Sequence, residues 1–347
     1  MNIEKLEQFL SKNNLPKFRL GQIQQAIFTD GVSSFTEITT LSKDLREKME
    51  KELPILSFKV EKVLAANDGQ SIKALLKLND EESIETVLIS PKPGTWSACI
   101  SCQVGCAMGC RFCATGKMGF KRNLTAEEIT DQILFWKQYL KLNNSKFEIR
   151  NSKLTNVVYM GMGEPFLNWE EVSKSIKNLT DEKLFGFGSR SLSVSTSGIV
   201  EGIEKIANEF PQVNLAISLH FASDEKRDHY MPVNKKDNLE ALKNALKKYF
   251  STTNRKVFLE YIMLDGINDT ALDARLLSDF IFAIGKTHLL HINLIRYNVT
   301  SDELRPSSRT RTQIFKAELE KHGLNATIRK SLGEEIKAAC GQLAGEK

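Results

Sequence analysis

From about residue 96 onward, short apolar runs recur at 99–103, 156–160, 192–196, 215–219, 257–264, 291–295 and 326–329, with helical patterns between most of them. No other feature limits the fold as much. A strand, a helix and a second strand in alternation make a crossover, and crossovers make parallel sheets. The helical stretch at 125–142 is the clearest. Thr125 and Glu128 have capping-box spacing, and Ile129, Ile133, Trp136 and Leu140 fall on one face. A second helix is expected over 239–250. The expected fold class is α/β, a parallel sheet either open or closed into a barrel. The polar stretch NNSKFEIRNSK at 143–153 reads as an exposed loop.

The chain before residue 96 reads differently. Leu6, Phe9 and Leu10 form one helical stripe, Phe18, Ile23, Ile27 and Phe28 another, and Pro54 ends this part. Strands are expected at 58–65, 71–78 and 83–89, separated by NDGQ and NDEE turns, before PKPGT breaks the pattern. The organisation expected is a helical accessory domain at 1–55, a stranded extension at 56–95 and a main domain at 96–347. The 347 residues, 41% hydrophobic, suffice for a sizeable core. No apolar run is long enough to span a bilayer, and the amphipathic, acid-bearing MNIEKLEQFLSKNN is not a signal peptide. A soluble cytoplasmic protein with no membrane partner is expected. The net charge of +5 fits nucleic-acid binding and many other things.

Five of the six cysteines crowd into CISCQVGCAMGCRFC at 99–113, and the sixth is Cys340. Such crowding suits a metal site better than a disulfide framework. Cys106, Cys110 and Cys113 have the spacing C-x3-C-x2-C, with Gly105 and Gly109 letting the backbone wrap closely and Phe112 able to shield one side. Three thiolates suit a [4Fe–4S] cubane with one open iron. A structural zinc is the alternative, with Cys99 or Cys102 as fourth ligand. In folds of this class, chemistry sits at the C-terminal ends of the strands. Glu164, Ser195, Ser197, His220 and Asn298 all fall at such ends.

The cysteine spacing, with an aromatic before the last cysteine, resembles that of the radical S-adenosylmethionine (SAM) enzymes. So does the glycine-rich, acid-bearing MGMGEP at 160–165. The resemblance then narrows. CQVGCAMGCRFCATGKMGFKRNLTAEEI, VVYMGMGEPFLN, STSG, AISLH, EYIML, HINLIRYN and the tail AACGQLAG together resemble the RlmN/Cfr family of radical-SAM RNA methyltransferases. The fold so implied is a partial (βα)6 radical-SAM barrel with a small helical and stranded N-terminal accessory domain. The cofactors implied are a [4Fe–4S] cluster on Cys106, Cys110 and Cys113, and SAM. The SAM contacts implied are Gly163, Glu164 (through the ammonium), Ser195, Ser218, Leu219, His220 and Asn298.

The resemblance also implies a reaction. Family members methylate C2 or C8 of an adenosine in the peptidyl-transferase centre of 23S rRNA, and C2-type members in some bacteria also act on tRNA. One SAM methylates a cysteine and a second yields the radical that activates this methyl for addition to the base. By resemblance Cys340 carries the methyl, Glu85 accepts the proton from the base, and Cys99 resolves the protein–RNA adduct through a transient disulfide with Cys340. Cys102 departs from the family pattern and adds a second thiol to the segment. Residues three apart in an extended segment lie on opposite faces, so Cys99 and Cys102 are expected not to be equivalent. The loop VTSDELRPSSRTR after Asn298 also departs, where members often have a Pro-rich loop. Pro165 favours the C2 type, since Cfr-type members carry Ala there. A flavodoxin-type electron donor is plausible. The alternatives are a Cfr-type C8 enzyme and a zinc-bearing RNA-binding protein without catalysis.

Overall fold

The computed structural model describes residues 1–143 and 153–345, so most of the loop expected at 143–153 lies outside the described residues. Its strands are β1 Phe58–Ala65, β2 Ser71–Leu78, β3 Ser83–Lys92, β4 Thr95–Cys99, β5 Gln103–Gly105, β6 Phe120–Asn123, β7 Lys153–Tyr159, β8 Leu192–Thr196, β9 Asn214–Ser218, β10 Val257–Met263, β11 Leu290–Arg296 and β12 Ala326–Ile328. Ten of them make one sheet in the order β1-β2-β3-β4-β7-β8-β9-β10-β11-β12, and β5 pairs with β6 apart from it. From β4 to β12 every pairing is parallel. Helices follow β7, β8, β9, β10 and β11, and the helix Ala126–Leu142 follows β4 after the cysteine loop. This is the six-unit partial barrel, open between β1 and β12.

The strands expected at 56–95 join the main sheet. β3 pairs antiparallel with β4, so β1 to β3 prolong the barrel sheet itself. The run expected at 99–103 is split, because the chain leaves the sheet at Cys99 and re-enters a different ladder at Gln103. Apolar periodicity marks buried segments but carries no signal for such a change of partner.

The helix Ala126–Leu142 fixes the cysteine segment. Its capping box forms as the spacing predicts. Ile129 and Ile133 are fully buried, which stabilises by about 1.5–3 kcal/mol each. Gln132, also fully buried, accepts from the Ser101 N–H and donates to the Ser101 carbonyl, both at 2.9 Å. Trp136 donates to Thr86 on β3 at 3.1 Å. The N-terminal helices pack on the same helix. Gln138 donates to the Val32 carbonyl at 2.8 Å, and Lys137 to that of Phe28.

Candidate active site

The cysteine loop leaves the end of β4 and returns along β6. Gly105 sits at φ +73°, and a Cβ there would stand 1.9 Å from the Gly119 carbonyl oxygen, so only glycine lets the two sides of the loop close. Cys106 and Cys110 are buried and Cys113 is half-buried. Burial pushes the Cys106 thiol up to about 12, and the neighbouring Glu164 and Cys113 push the same way. Burial raises Cys110 too, with Cys113 and Cys106 adding to it. Thiols so placed become ligands only when a strong Lewis acid takes the anions. Three of them in one loop, near enough to feel one another's charge, fit a cluster that accepts three thiolates. Among the described residues no group of three His, Cys, Asp or Glu stands close enough to hold one metal ion.

Arg227 was missed in the sequence because DEKRDHY reads as a solvated helix face. It is fully buried. Its guanidinium donates to the carbonyls of Ser197, Ser218 and Leu219, which follow or end β8 and β9. Its charge also lies near enough to Cys110 to favour the thiolate.

The strand-end residues gather on the same rim. Ser195 and Ser218 hydroxyls are 3.4 Å apart. His220 follows β9 with φ +55°. Its Nδ1 accepts the Ile262 N–H at 3.2 Å, and its ring meets Phe112 of the cysteine loop edge-on, centroids 4.9 Å apart. Burial, with the Arg227 charge, lowers its pKa to about 3, so it stays neutral with the proton on Nε2.

The loop at 160–165 is tightly packed. Its glycines approach protein closely: a Cβ on Gly161 would stand 2.7 Å from the Ile100 carbonyl oxygen, and one on Gly163 2.6 Å from Gln103 Cβ. Glu164 turns its carboxylate inward, where it accepts from the Ser197 N–H at 2.7 Å, the Ser197 hydroxyl at 2.8 Å and the Phe166 N–H at 3.2 Å. Its pKa is raised by burial, which outweighs these donors.

The tail brings the remaining residues together. Asn298 donates to the Cys340 carbonyl at 3.1 Å and accepts from Ser331 at 2.6 Å. Ala114, just after Cys113, donates its N–H to the Gly341 carbonyl at 2.8 Å, and Thr115 donates to that of Leu343 at 2.5 Å. The chain then crosses to β3, where the Ala344 N–H meets Glu85 at 2.8 Å. Cys340 is exposed. Its surroundings raise its pKa, while Arg329 favours the thiolate. Cys99, half-buried at the end of β4, lies near enough to Cys340 for their charges to interact. Cys102 is buried and feels Glu164 and Cys106 instead. The two thiols therefore have different surroundings. Glu85 is buried beside Lys73, a residue that the strand pattern gave no reason to single out.

The whole chain is similar to known proteins. Residues 100–276 match the family model of the radical SAM superfamily, and residues 1–55 match that of the ribosomal RNA large subunit methyltransferase N-terminal domain. The chain is 41% identical over 344 residues to the ribosomal RNA large subunit methyltransferase Cfr of Clostridium botulinum strain Okra, covering 99% of this chain and 96% of that one. It is 40% identical over 349 residues to a probable dual-specificity RNA methyltransferase RlmN of Chlorobium phaeobacteroides, covering 99% and 93%. A crystal structure of a radical SAM methyltransferase from Sphaerobacter thermophilus superposes with a TM-score of 0.91 at 36% identity, covering 100% of this chain and 98% of that one.

Proposed function

The chain belongs to the RlmN/Cfr family of radical-SAM rRNA methyltransferases, which use a [4Fe–4S] cluster and SAM, and we propose that it is the C2 type, acting on an adenosine of 23S rRNA with Cys340 as methyl carrier. The observation that carries the proposed roles is the convergence at the tail. Cys99 lies near enough to Cys340 for their charges to interact, and the chain four residues beyond Cys340 touches Glu85.

The cluster and SAM, held at Cys106, Cys110, Cys113 and the strand-end rim, supply the radical chemistry. The protein's own residues do the rest. Cys340 presents a sulfur to be methylated. The strand-end groups Ser195, Ser218, Leu219 and His220, with Asn298, line the SAM side. Glu164 and Gly163 line the side that takes the SAM ammonium. Glu85 takes the proton from the methylated carbon of the base. The Cys99 thiolate then attacks Cys340 sulfur. The S–S bond forms, the S–C bond breaks, and its electron pair with a proton completes the methyl group on the RNA, while the unpaired electron that radical addition leaves on the base would return to the cluster.

Relatives named Cfr and RlmN match almost equally well. Within the reading, Pro165 favours C2. Chromatography of digested RNA product against 2-methyl- and 8-methyladenosine standards tests it: 2-methyladenosine is expected, and 8-methyladenosine alone would replace the C2 reading by C8. The reading includes tRNA as a second substrate, a flavodoxin-type electron donor and a cytoplasmic site of action. No described helix is long and apolar enough to cross a membrane.

A further inference from the structure

Glu85 and the tail hold each other. Lys73 Nζ lies 2.7 Å from Glu85 Oε1, with the two side chains only 10% and 3% exposed. Oε2 accepts the Ala344 N–H at 2.8 Å and the Gly345 N–H at 3.3 Å. Lys73 also donates to the Lys337 carbonyl at 3.1 Å, so one ammonium touches both the carboxylate and the approach to the tail. The strand register explains the pairing. Leu75 stands opposite Glu85 and Lys73 opposite Val87, which makes Lys73 the diagonal neighbour of Glu85 on the same face. A cavity of 230 Å³ reaches this carboxylate between Lys62 and Leu64 of β1 and the turn at 334–337.

A buried carboxylate with both oxygens engaged is well anchored, but a proton acceptor needs a bare oxygen within hydrogen-bond reach of the proton. We propose that Lys73 is a positioning residue for Glu85, and that the Ala344 and Gly345 amides cover the proton-accepting oxygen until the tail lifts. The proposal rests on the reading of Glu85 as proton acceptor. When the tail lifts, Oε2 loses two donors together while Lys73 still holds Oε1. The C–H bond of the target carbon then breaks with its proton passing to Oε2 and its electron pair staying in the ring. Cys340 lies only four residues before Ala344, so the movement that commits this sulfur to the nucleobase also uncovers the group that must deprotonate it. A Glu85 covered before that moment cannot be taken up by another proton donor of the RNA.

Two measurements test this. In the first, decay of the protein–RNA adduct is followed in single turnover with RNA carrying hydrogen or deuterium at the target carbon. Lys73→Met should slow decay at least about tenfold, a part of the 10²–10⁴ that general-base catalysis contributes. It should also make decay slower with deuterium than with hydrogen, and Lys73→Arg should restore most of the rate. Slow decay that is blind to deuterium would overturn the positioning role. Lys73→Gln carries the same test if the Met variant fails to fold. In the second, amide hydrogen exchange at 344–345 is followed without RNA. Glu85→Ala should speed it at least about tenfold, since each hydrogen bond of this kind is worth about 1 kcal/mol or more. Unchanged exchange would overturn the cover. Wild-type adduct decay in Glu85→Gln would overturn the proton-acceptor reading itself. The exchange measurement needs no chemistry and so separates that failure from loss of the cover.

Discussion

The cysteine loop and the C-terminal tail both deliver thiols to one rim, and they are held in opposite ways. The loop is closed by contacts with no room in them. A Cβ at Gly105 would overlap the Gly119 carbonyl, and one at Gly116 would stand 3.0 Å from the Cys110 nitrogen. The tail is held by a few hydrogen bonds with distant parts of the chain, Asn298, Ala114, Thr115 and Glu85, and by the buried Leu343 side chain. A loop of the first kind cannot shift without unfolding its surroundings. A strap of the second kind can let go one bond at a time, each worth about 1 kcal/mol. Steric closure suits a site that must keep its ligand set through every turnover. Separable bonds suit a thiol that has to travel.

The largest test removes the fixed thiols. Replacing Cys106, Cys110 and Cys113 together by Ala should abolish bound iron, the brown colour and all reductive cleavage of SAM. Cleavage surviving in that variant would end the distinction between a fixed and a travelling set. The next test divides the other three. Cys340→Ala should form no protein–RNA adduct, Cys99→Ala should accumulate RNA linked to Cys340, and Cys102→Ala should turn over nearly normally. Denaturing gels with labelled RNA and mass spectrometry of the Cys340 peptide give the outcome. Adduct with Cys102→Ala instead of Cys99→Ala would exchange their roles.

Two glycines sharpen the comparison further. Gly105 and Gly341 both have positive φ, +73° and +83°. A Cβ at Gly341, however, meets nothing nearer than the Phe112 oxygen at 3.4 Å. Gly105→Ala should cost well over about 1 kcal/mol of global stability. Gly341→Ala should leave thermal unfolding almost unchanged and only loosen the tail, by the roughly 1–2 kcal/mol of a left-handed alanine. Equal losses in melting temperature would mean that the tail is as integral as the loop. The smallest effect is expected far from both. If residues 1–55 position RNA through phosphates, Lys12, Lys17 and Lys51, all exposed, changed together to Gln should lower the slope of log affinity against log salt by up to about 1 for each phosphate that a lysine no longer neutralises. SAM cleavage without RNA should not change.

The same division governs how much could be read in the sequence. The barrel was legible because periodicity is local: β1, β2 and β8 begin and end where the pattern placed them. The capping box at Thr125 formed for the same reason. The cysteine loop was legible because its spacing and its glycines are contiguous. The inward turn of Glu164 was not, since its partner Ser197 is 33 residues away. Nor were Arg227, whose acceptors end two separate strands, and Lys73, whose place beside Glu85 depends on the β2–β3 register. Such residues look like ordinary surface charges until the fold surrounds them.

An incomplete barrel leaves two strands with an unpaired side, and each such side is a template on which another chain could add. Here both are poor templates. β12 is three residues long. β1 is longer, but its register slips between Val60 and Lys62, and it exposes Lys59, Glu61 and Lys62 to solvent. The bulge interrupts any continuous ladder, and alternating charges penalise a strand that would align with them. The opening that gives access to the interior is thus guarded against polymerisation, and an RNA-modifying protein can keep an unclosed sheet in a crowded solution without its copies joining edge to edge.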